Sequence, residues 1–422
     1  MSSRKPHRDT PATEERERPD TPTAEDTPDS GASAPRYPLS FLGLSGKTKT
    51  LVDWLVVLAA VWLLITAVNA IGEGFSMAAG DGAAELFQFA SNPFVGLVVG
   101  ILATVLTQSS STTTSITVAL VAGGMPIDIA IPVLIGANLG TTMTSSLVSL
   151  GMARNPEMFR RGYAAATVHD MYNLTATVIF LPLELAFGFL EKASDWLATQ
   201  LSGAGGGPVG AVFEALGDAV SFVTEPGVDL FVWIVSPLPD VAGGIVLLVA
   251  GVALILLVIG FIGTMLKSLL VGTAQRIFHR ALGSGQFVGA LTGTVITVLV
   301  QSSSTTTSLV VPLAGSGKFS LKQIFPFVVG SNIGTTVTAL IAAFGFSGGE
   351  AKVALQAALV HLLFNLFGSI LILGLPFLRA IPLKGADLLA KLGTRNKLYV
   401  VAWMLGVFIV LPLLLIFITA VI

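Results

Sequence analysis

Residues 105–120, VLTQSSSTTTSITVAL, return at 298–313 as VLVQSSSTTTSLVVPL, with eight consecutive identities over QSSSTTTS. About 30 positions after each copy stands a second matching element, GANLGTTMT (136–144) and GSNIGTTVT (330–338). Each half then reaches an HxxxN pair in an apolar stretch, His169 with Asn173 and His361 with Asn365. A low-complexity Ser/Thr tract accounts for one such landmark, not for three in one order at nearly one offset. The chain is therefore an internal duplication, and its fold must be built from two copies of one unit.

The solvent for those units follows from composition. The 422 residues are 53% hydrophobic and 11% charged, with a mean hydropathy of +0.82. So few charges cannot clothe a water-facing surface, and the bilayer is the natural environment. Several apolar runs reach the roughly 20 residues that a spanning helix needs, and they are continuous rather than alternating, which argues against a barrel. The expected fold class is an all-α polytopic membrane protein of two inverted repeats. Residues 1–45 are different: polar, charged and Pro-rich, they cannot bury enough surface to offset ordering and read as a disordered cytoplasmic tail. They lack a signal-peptide core, so 51–71 is a retained first span. There is no cysteine, which excludes disulfides and thiolate metal sites, and four histidines do not suggest a transition-metal cluster.

Charge gives the orientation. Arg154, Arg160 and Arg161 place the loop after the first repeat's motifs in the cytoplasm, whereas the acidic connection 191–240 reads as an extracellular loop. Lys267, Arg276 and Arg280 return the chain to the inside. The first QSSST unit, flanked by Glu85 and Asp128, thus enters from outside, and the second, followed by Lys318 and Lys322, from inside. The first transport repeat covers 51–190, the inverted second 241–378, and a last transmembrane helix 398–422. Counting in this way gives seven full spans plus two hairpins.

Segment length suggests the shape of each unit. A helix needs only about 10 residues to reach the midplane of a ~30 Å core, and 17 separate Asn92 from Gln108 inclusive. We expect re-entrant hairpins at 92–124 and 286–317 with polar tips inside the protein, the alternative being two full spans joined at the surface. GANLGTT and GSNIGTT interrupt apolar helices at 126–150 and 322–346, and their glycines and asparagines predict discontinuous helices in both halves. Amphipathic stretches at 75–90 and 383–392 are candidates for the interface.

Helix starts exposed at membrane depth offer free N–H groups and a positive dipole end to anions, while released carbonyls and hydroxyls suit a hard cation. Gln108, Ser109, Ser110 and Ser111 in the first tip, and Ser302, Ser303 and Ser304 in the second, are the anion candidates. Asn138 and Asn332 are open between ligating the anion and capping the break. Gln301, Ser302, Thr305, Thr335 and Thr338 form a neutral-oxygen set for a monovalent cation, with first-repeat equivalents Gln108, Ser109, Thr112, Thr141 and Thr144. Calcium or magnesium would call for carboxylates, which these motifs lack. His169, Asp170 and His361 are polar groups in apolar helices, for which function and a hydrogen bond to Asn173 or Asn365 compete; Glu184 reads as interfacial. No GxSxG elbow points to a serine hydrolase.

Paired QSSST units, paired G(A/S)N(I/L)GT elements, and FRRGYAAATVHDMYN leading to LPLE (159–184) resemble the type II sodium-phosphate cotransporters, in their bacterial branch. The resemblance covers roughly 92–184 and 286–375. It implies a symporter, not an enzyme, that imports inorganic phosphate with Na+ as coupling ion by alternating access at the plasma (inner) membrane. The second-repeat cluster would be a sodium site, and the serines of both repeats would face phosphate. Members that move net charge carry an Asp just before the FRR stretch; Asn155 or Arg154 stands there, which leans towards electroneutral transport. Arsenate, sulfate or a non-transporting anion receptor are the alternatives. The implied partners are phosphate, sodium and the lipid bilayer, with no nucleic acid and a homodimer left open.

Overall fold

Long apolar segments and the absence of cross-strand patterning leave the backbone one way to satisfy itself in lipid, by helices. The computed structural model describes residues 38–80, 92–202, 208–281 and 284–421. Within the unit Tyr37–Ile422 the described elements are helical. Helix α1 is Gly46–Ala79. The first repeat continues with α2 (Pro93–Thr107), α3 (Ser110–Ala122), α4 (Ile127–Leu139), α5 (Met143–Leu150) and α6 (Pro156–Phe187). Two connecting helices follow, α7 (Phe189–Leu201) and α8 (Pro208–Val235). The second repeat has α9 (Asp240–Ala281), α10 (Gln286–Val300), α11 (Ser303–Gly315), α12 (Leu321–Ala343) and α13 (Gly348–Gly374). Finally come α14 (Pro376–Arg395), α15 (Leu398–Leu405), a π-turn over Gly406–Val410 and α16 (Leu411–Val421).

Among the described residues, five helices are long and apolar enough to cross a bilayer, or six if α6 and α7, bent by 77°, are one span. The seventh of the spans counted in the sequence, 126–150, is not among these long helices, because a 3-10 turn at Gly140–Thr142 divides it into pieces of 13 and 8 residues, the discontinuity expected there. Two further expectations change. GSNIGTT does not interrupt its helix: α12 is continuous from Leu321 to Ala343. The described residues of 191–240, expected as a loop, are mainly helical: most of α7 and the whole of α8, whose acidic residues Glu214, Asp218, Glu225 and Asp229 hide a helical apolar pattern from a hydropathy reading. Glu184 is buried, and its carboxylate accepts from the Leu190 amide at 2.5 Å and the Glu191 amide at 3.3 Å, capping α7 across the bend. Expectations for 1–37, for 81–91 and for the glycines of 203–207 lie outside the described residues.

The motif glycines have the same packing role in both repeats. Each repeat packs the first arm of its QSSS segment against the helix carrying its GxNxGT element. A Cβ at Gly136 would run into the Leu97 carbonyl, and one at Gly330 into the Ala290 carbonyl. A Cβ at Gly140 would stand 2.7 Å from the Ile101 carbonyl oxygen, and one at Gly334 2.6 Å from that of Thr294. The glycines of both repeats therefore permit close helix approach, the usual way membrane helices gain packing contacts, in the continuous α12 and in the first-repeat helix that breaks at Gly140–Thr142 alike. The two repeats make the same seam with matching residues. Gly330→Val should cost about 1–3 kcal/mol or more by overpacking, seen as a lower melting temperature in detergent.

Second arms are exchanged between repeats. Helix α3 packs on α12 and α13, while α11 packs on α5 and α6. Ser145 and Thr307 hydroxyls meet at 2.8 Å, and Ser304 donates to the Thr141 carbonyl at 3.2 Å. The far end of α3 lies against α1, where a Cβ at Gly123 would strike the Gly72 carbonyl. The far end of α11 lies instead against α6, where a Cβ at Gly315 would come within 3.2 Å of the Met158 carbonyl oxygen.

Candidate functional site

Gln108 and Gln301 are the only non-glycine residues with positive φ among the described residues, each at φ 54 in the left-handed region. Such a conformation costs a residue with a Cβ of order 1–3 kcal/mol and persists where the surroundings impose it. It ends α2 and α10 and turns the chain into α3 and α11. Each glutamine is held alike: its Nε2 donates to the carbonyl of Val105 at 2.9 Å or Val298 at 2.8 Å. The next residue is the N-cap in both copies. Ser109 Oγ accepts from the Thr112 amide, and Ser302 Oγ from the Thr305 amide, each at 3.2 Å. Beside the first tip, Thr104 donates to Thr113 at 2.9 Å, so the two arms meet immediately past the turn.

Both tips face one cavity of about 230 Å³, lined by Gln108 to Thr112, by Gln301 to Ser304, and by a third wall from α9. One water needs about 10–15 Å³ on this measure, so a hydrated oxyanion fits. The first amides of α3 and α11 have no acceptor within their own helices, and both positive dipole ends open on this space. Ser110, Ser111 and Ser303 hydroxyls make no hydrogen bond within the described protein, although their residues are buried. Seven of the nine anion candidates therefore line one cavity. Asn138 and Asn332 do not.

Those two asparagines form a layer of their own, joining the repeats. His169 Nε2 lies 2.5 Å from Asn332 Oδ1, Asn332 Nδ2 donates to Asn173 Oδ1 at 2.6 Å, and Asn173 Nδ2 donates to the Asn138 carbonyl at 2.8 Å. From the other repeat His361 Nε2 approaches Asn138 Oδ1 at 3.4 Å. All five side chains are at most 3% exposed. Each histidine ring thus reaches the asparagine of the opposite repeat, while Asn365 Nδ2 donates to the His361 carbonyl at 2.9 Å. The second nitrogen of both rings, Nδ1, is buried without a partner. Asp170 Oδ2 accepts from the Trp403 indole at 3.1 Å, which ties α15 to the same region.

The cation candidates of the second repeat are brought together in pairs. Thr338 donates to Gln301 Oε1 at 2.8 Å, bridging the tip of the hairpin to α12, and Ser302 donates to Thr305 Oγ1 at 3.0 Å. Thr335 is buried and back-bonded to the Ser331 carbonyl at 3.0 Å. In the first repeat Thr112 donates to Ser109 Oγ at 2.9 Å and Thr141 to the Ala137 carbonyl at 3.1 Å; the side chain of Thr144 lies outside those described. Asn155 is the N-cap of α6, accepting from the Glu157 and Met158 amides at 3.1 Å. Sequence reasoning missed the third cavity wall, Leu256, Ile259, Gly260, Gly263 and Thr264. Its signal was GFIGT, a small-residue step inside an otherwise bulky apolar span.

Comparison with known proteins decides the lineage. A family model described as Na+/Pi-cotransporter matches residues 63–190 and again 254–378, once for each repeat. The chain belongs to the Na+/Pi-cotransporter family. Sodium-dependent phosphate transport protein 2A of Ovis aries is 30% identical over 436 residues, covering 86% of this chain and 67% of the relative. Protein 2A of Mus musculus is 31% identical over 424 residues, 85% and 66%. Protein 2B of Homo sapiens is 27% identical over 449 residues, 85% and 64%. The chain spans about two thirds of the length of these relatives, and no solved structure matches it. The family matches bracket α8 and the start of α9, so the two repeats are what this family shares with the chain.

Proposed function

We propose that this chain is a secondary active symporter that imports inorganic phosphate with sodium, with both QSSS tips as the anion site. The supporting observation is the convergence of two helix starts and two hydroxyl clusters on one cavity, in a member of the Na+/Pi-cotransporter family. Amides at the starts of α3 and α11 donate to phosphate oxygens, and the serine hydroxyls donate to bare oxygens or accept from protonated ones. Sodium is assigned to the second-repeat oxygens of Gln301, Ser302, Thr305, Thr335 and Thr338. An ion bridging Gln301 and Thr338 would clamp the left-handed turn that aims α11 at the cavity. Filling one site then prepares the other, which is a coupling of binding free energies.

Inversion and alternating access fit the same arrangement. Second arms that leave one cavity towards different ends of the molecule give each repeat a gate on its own side. Basic Arg160, Arg161 and Lys318 share one pocket at the start of α12, whereas acidic Glu73, Glu225, Asp229 and Glu350 share another just past its end. Helix α12, 23 residues and about 34 Å long, runs between them. The positive-inside rule then puts the basic end, and the N-terminus, in the cytoplasm of a plasma-membrane protein. The last span, only 6% buried in its most apolar window, faces the lipid bilayer in this reading. Asn155, or Arg154 with a one-residue slip, stands where members that move net charge carry an Asp, which supports an electroneutral cycle.

Labelled phosphate uptake into proteoliposomes tests the proposal. Replacing sodium by choline should abolish accumulation, and a potassium–valinomycin potential should leave the initial rate unchanged. Gln301→Ala should lower uptake at limiting sodium roughly tenfold or more, the scale of losing a contact of about 1.5–3 kcal/mol to a charged group. Uptake indifferent to sodium removes the coupling; arsenate or sulfate competing better than unlabelled phosphate reassigns the cargo.

A further inference from the structure

A larger concavity, about 380 Å³, lies at the opposite end of α11 from the QSSS cavity. Its polar lining is Arg160, Arg161, Lys318, Ser320, Gln323 and Asp387, so three cations face one carboxylate. The sequence read these cations only as topology signals, in two loops some 160 positions apart. The fold brings them to one wall.

Their pairing leaves capacity for a ligand. Arg160 stands 3.7 Å from Asp387, too far for a hydrogen bond. Arg161 pairs with Glu157 on its own helix, using part of a guanidinium with five donors, and lies against Gly317. Gly317 has φ 78 and no Cβ, so the guanidinium can close over the turn between α11 and α12. Lys318 follows, exposed, and no partner is found for its ammonium among the described residues. At the start of α12 Gln323 Oε1 accepts from the Ser320 amide at 2.9 Å, and the Gln323 and Ile324 amides donate to the Ser320 carbonyl at 3.0 and 3.2 Å, which leaves the Leu321 and Lys322 amides as those without intrahelical acceptors. Two guanidiniums, an ammonium and a helix start around one concavity suit a phosphate oxyanion.

The outer wall identifies the source. Helix α14 is amphipathic, with Phe377, Ile381 and Leu388 exposed at 67%, 50% and 58% beside Arg379, Lys384 and Lys391. An exposed apolar stripe next to cations marks a helix lying in the membrane interface. Asp387 joins that helix to the pocket, which therefore opens at headgroup depth. We propose that this pocket binds a phosphate oxyanion supplied by the headgroup of an anionic lipid rather than by free phosphate. The site needs the membrane embedding but not the transport reading. A lipid there braces the turn at the end of α11, 13 residues or about 20 Å from the transport cavity.

The test is thermal unfolding of the purified full-length protein in neutral detergent without sodium, titrated with short-chain phosphatidylglycerol, short-chain phosphatidylcholine or inorganic phosphate. Phosphatidylglycerol should stabilise saturably and phosphatidylcholine should not. The variant Arg160→Gln/Arg161→Gln/Lys318→Gln should weaken the phosphatidylglycerol response about fivefold per cation removed. Asp387→Asn should strengthen it, and decides the matter alone if the triple variant does not fold. Absence of a phosphatidylglycerol response, or one that neither variant changes, overturns the site. An inorganic phosphate response lost in the triple variant, with none to phosphatidylglycerol, overturns the lipid source and leaves the oxyanion pocket. None of these readouts depends on uptake, so failure of the symport proposal would be seen separately.

Discussion

Gly260→Phe is expected to abolish sodium-driven phosphate uptake while leaving the melting temperature of the purified protein almost unchanged. Gly260 lies on the α9 wall of the cavity that both QSSS tips face, and a Cβ built there meets no atom within 4 Å. A benzyl group would therefore occupy the roughly 230 Å³ in which the anion is to sit, without displacing the packed helices. Helix α9 should tolerate the change, since glycine in a helix interior is about 1 kcal/mol worse than alanine and aromatic residues lie between. Gly260→Ala is the control, and should retain most uptake. Full transport by the phenylalanine variant would mean the substrate passes elsewhere. A collapse in melting temperature would mean that the open space does not exist.

Asn332→Ala is expected to be far more damaging than Asn138→Ala in the layer that joins the repeats. It leaves His169 Nε2 and Asn173 Oδ1 without partners where nothing is more than 3% exposed. Orphaning a buried polar group costs about 1–3 kcal/mol, so a loss of about 2–6 kcal/mol is expected from two. Asn138→Ala removes the longer 3.4 Å contact to His361 and should cost less. Unfolding in denaturant ranks the two variants, and a His169→Ala/Asn332→Ala cycle should show strong non-additivity. Equal losses, or additive ones, would make these asparagines ordinary packing residues. Uptake should fall with the stability of the layer, because it is where the two repeats are pinned together, the contact that the proposed alternating access would rework.

Much of the architecture was legible before any coordinates. Eight identical residues repeated 193 positions apart announced two units, and the same identity fixed matched left-handed glutamines and matched serine caps. Local rules sufficed there: serine before a polar helix start is an N-cap, and a short arm before it is a turn. The discontinuity forecast for the second half failed because glycine serves two ends. In GSNIGTT it permits a neighbouring helix to approach, and sequence cannot separate that from permission to unwind. The acidic residues of α8 misled in the same way, since a hydropathy count weighs composition and not the face on which a charge falls.

The sequence by itself determined that the chain is duplicated, helical and lipid-embedded, because periodicity and solvation act on neighbours along the chain. It also marked the serines that open the second arms, because helix starts are settled within one helical turn. Only the tertiary structure decided what each group meets. It crossed the second arms so that two tips share one cavity, added the α9 wall, sent each histidine to the asparagine of the other repeat, and drew Arg160, Arg161 and Lys318 into one pocket. These are contacts between residues more than a hundred positions apart, fixed by how helices with small residues can approach, and no local pattern encodes them.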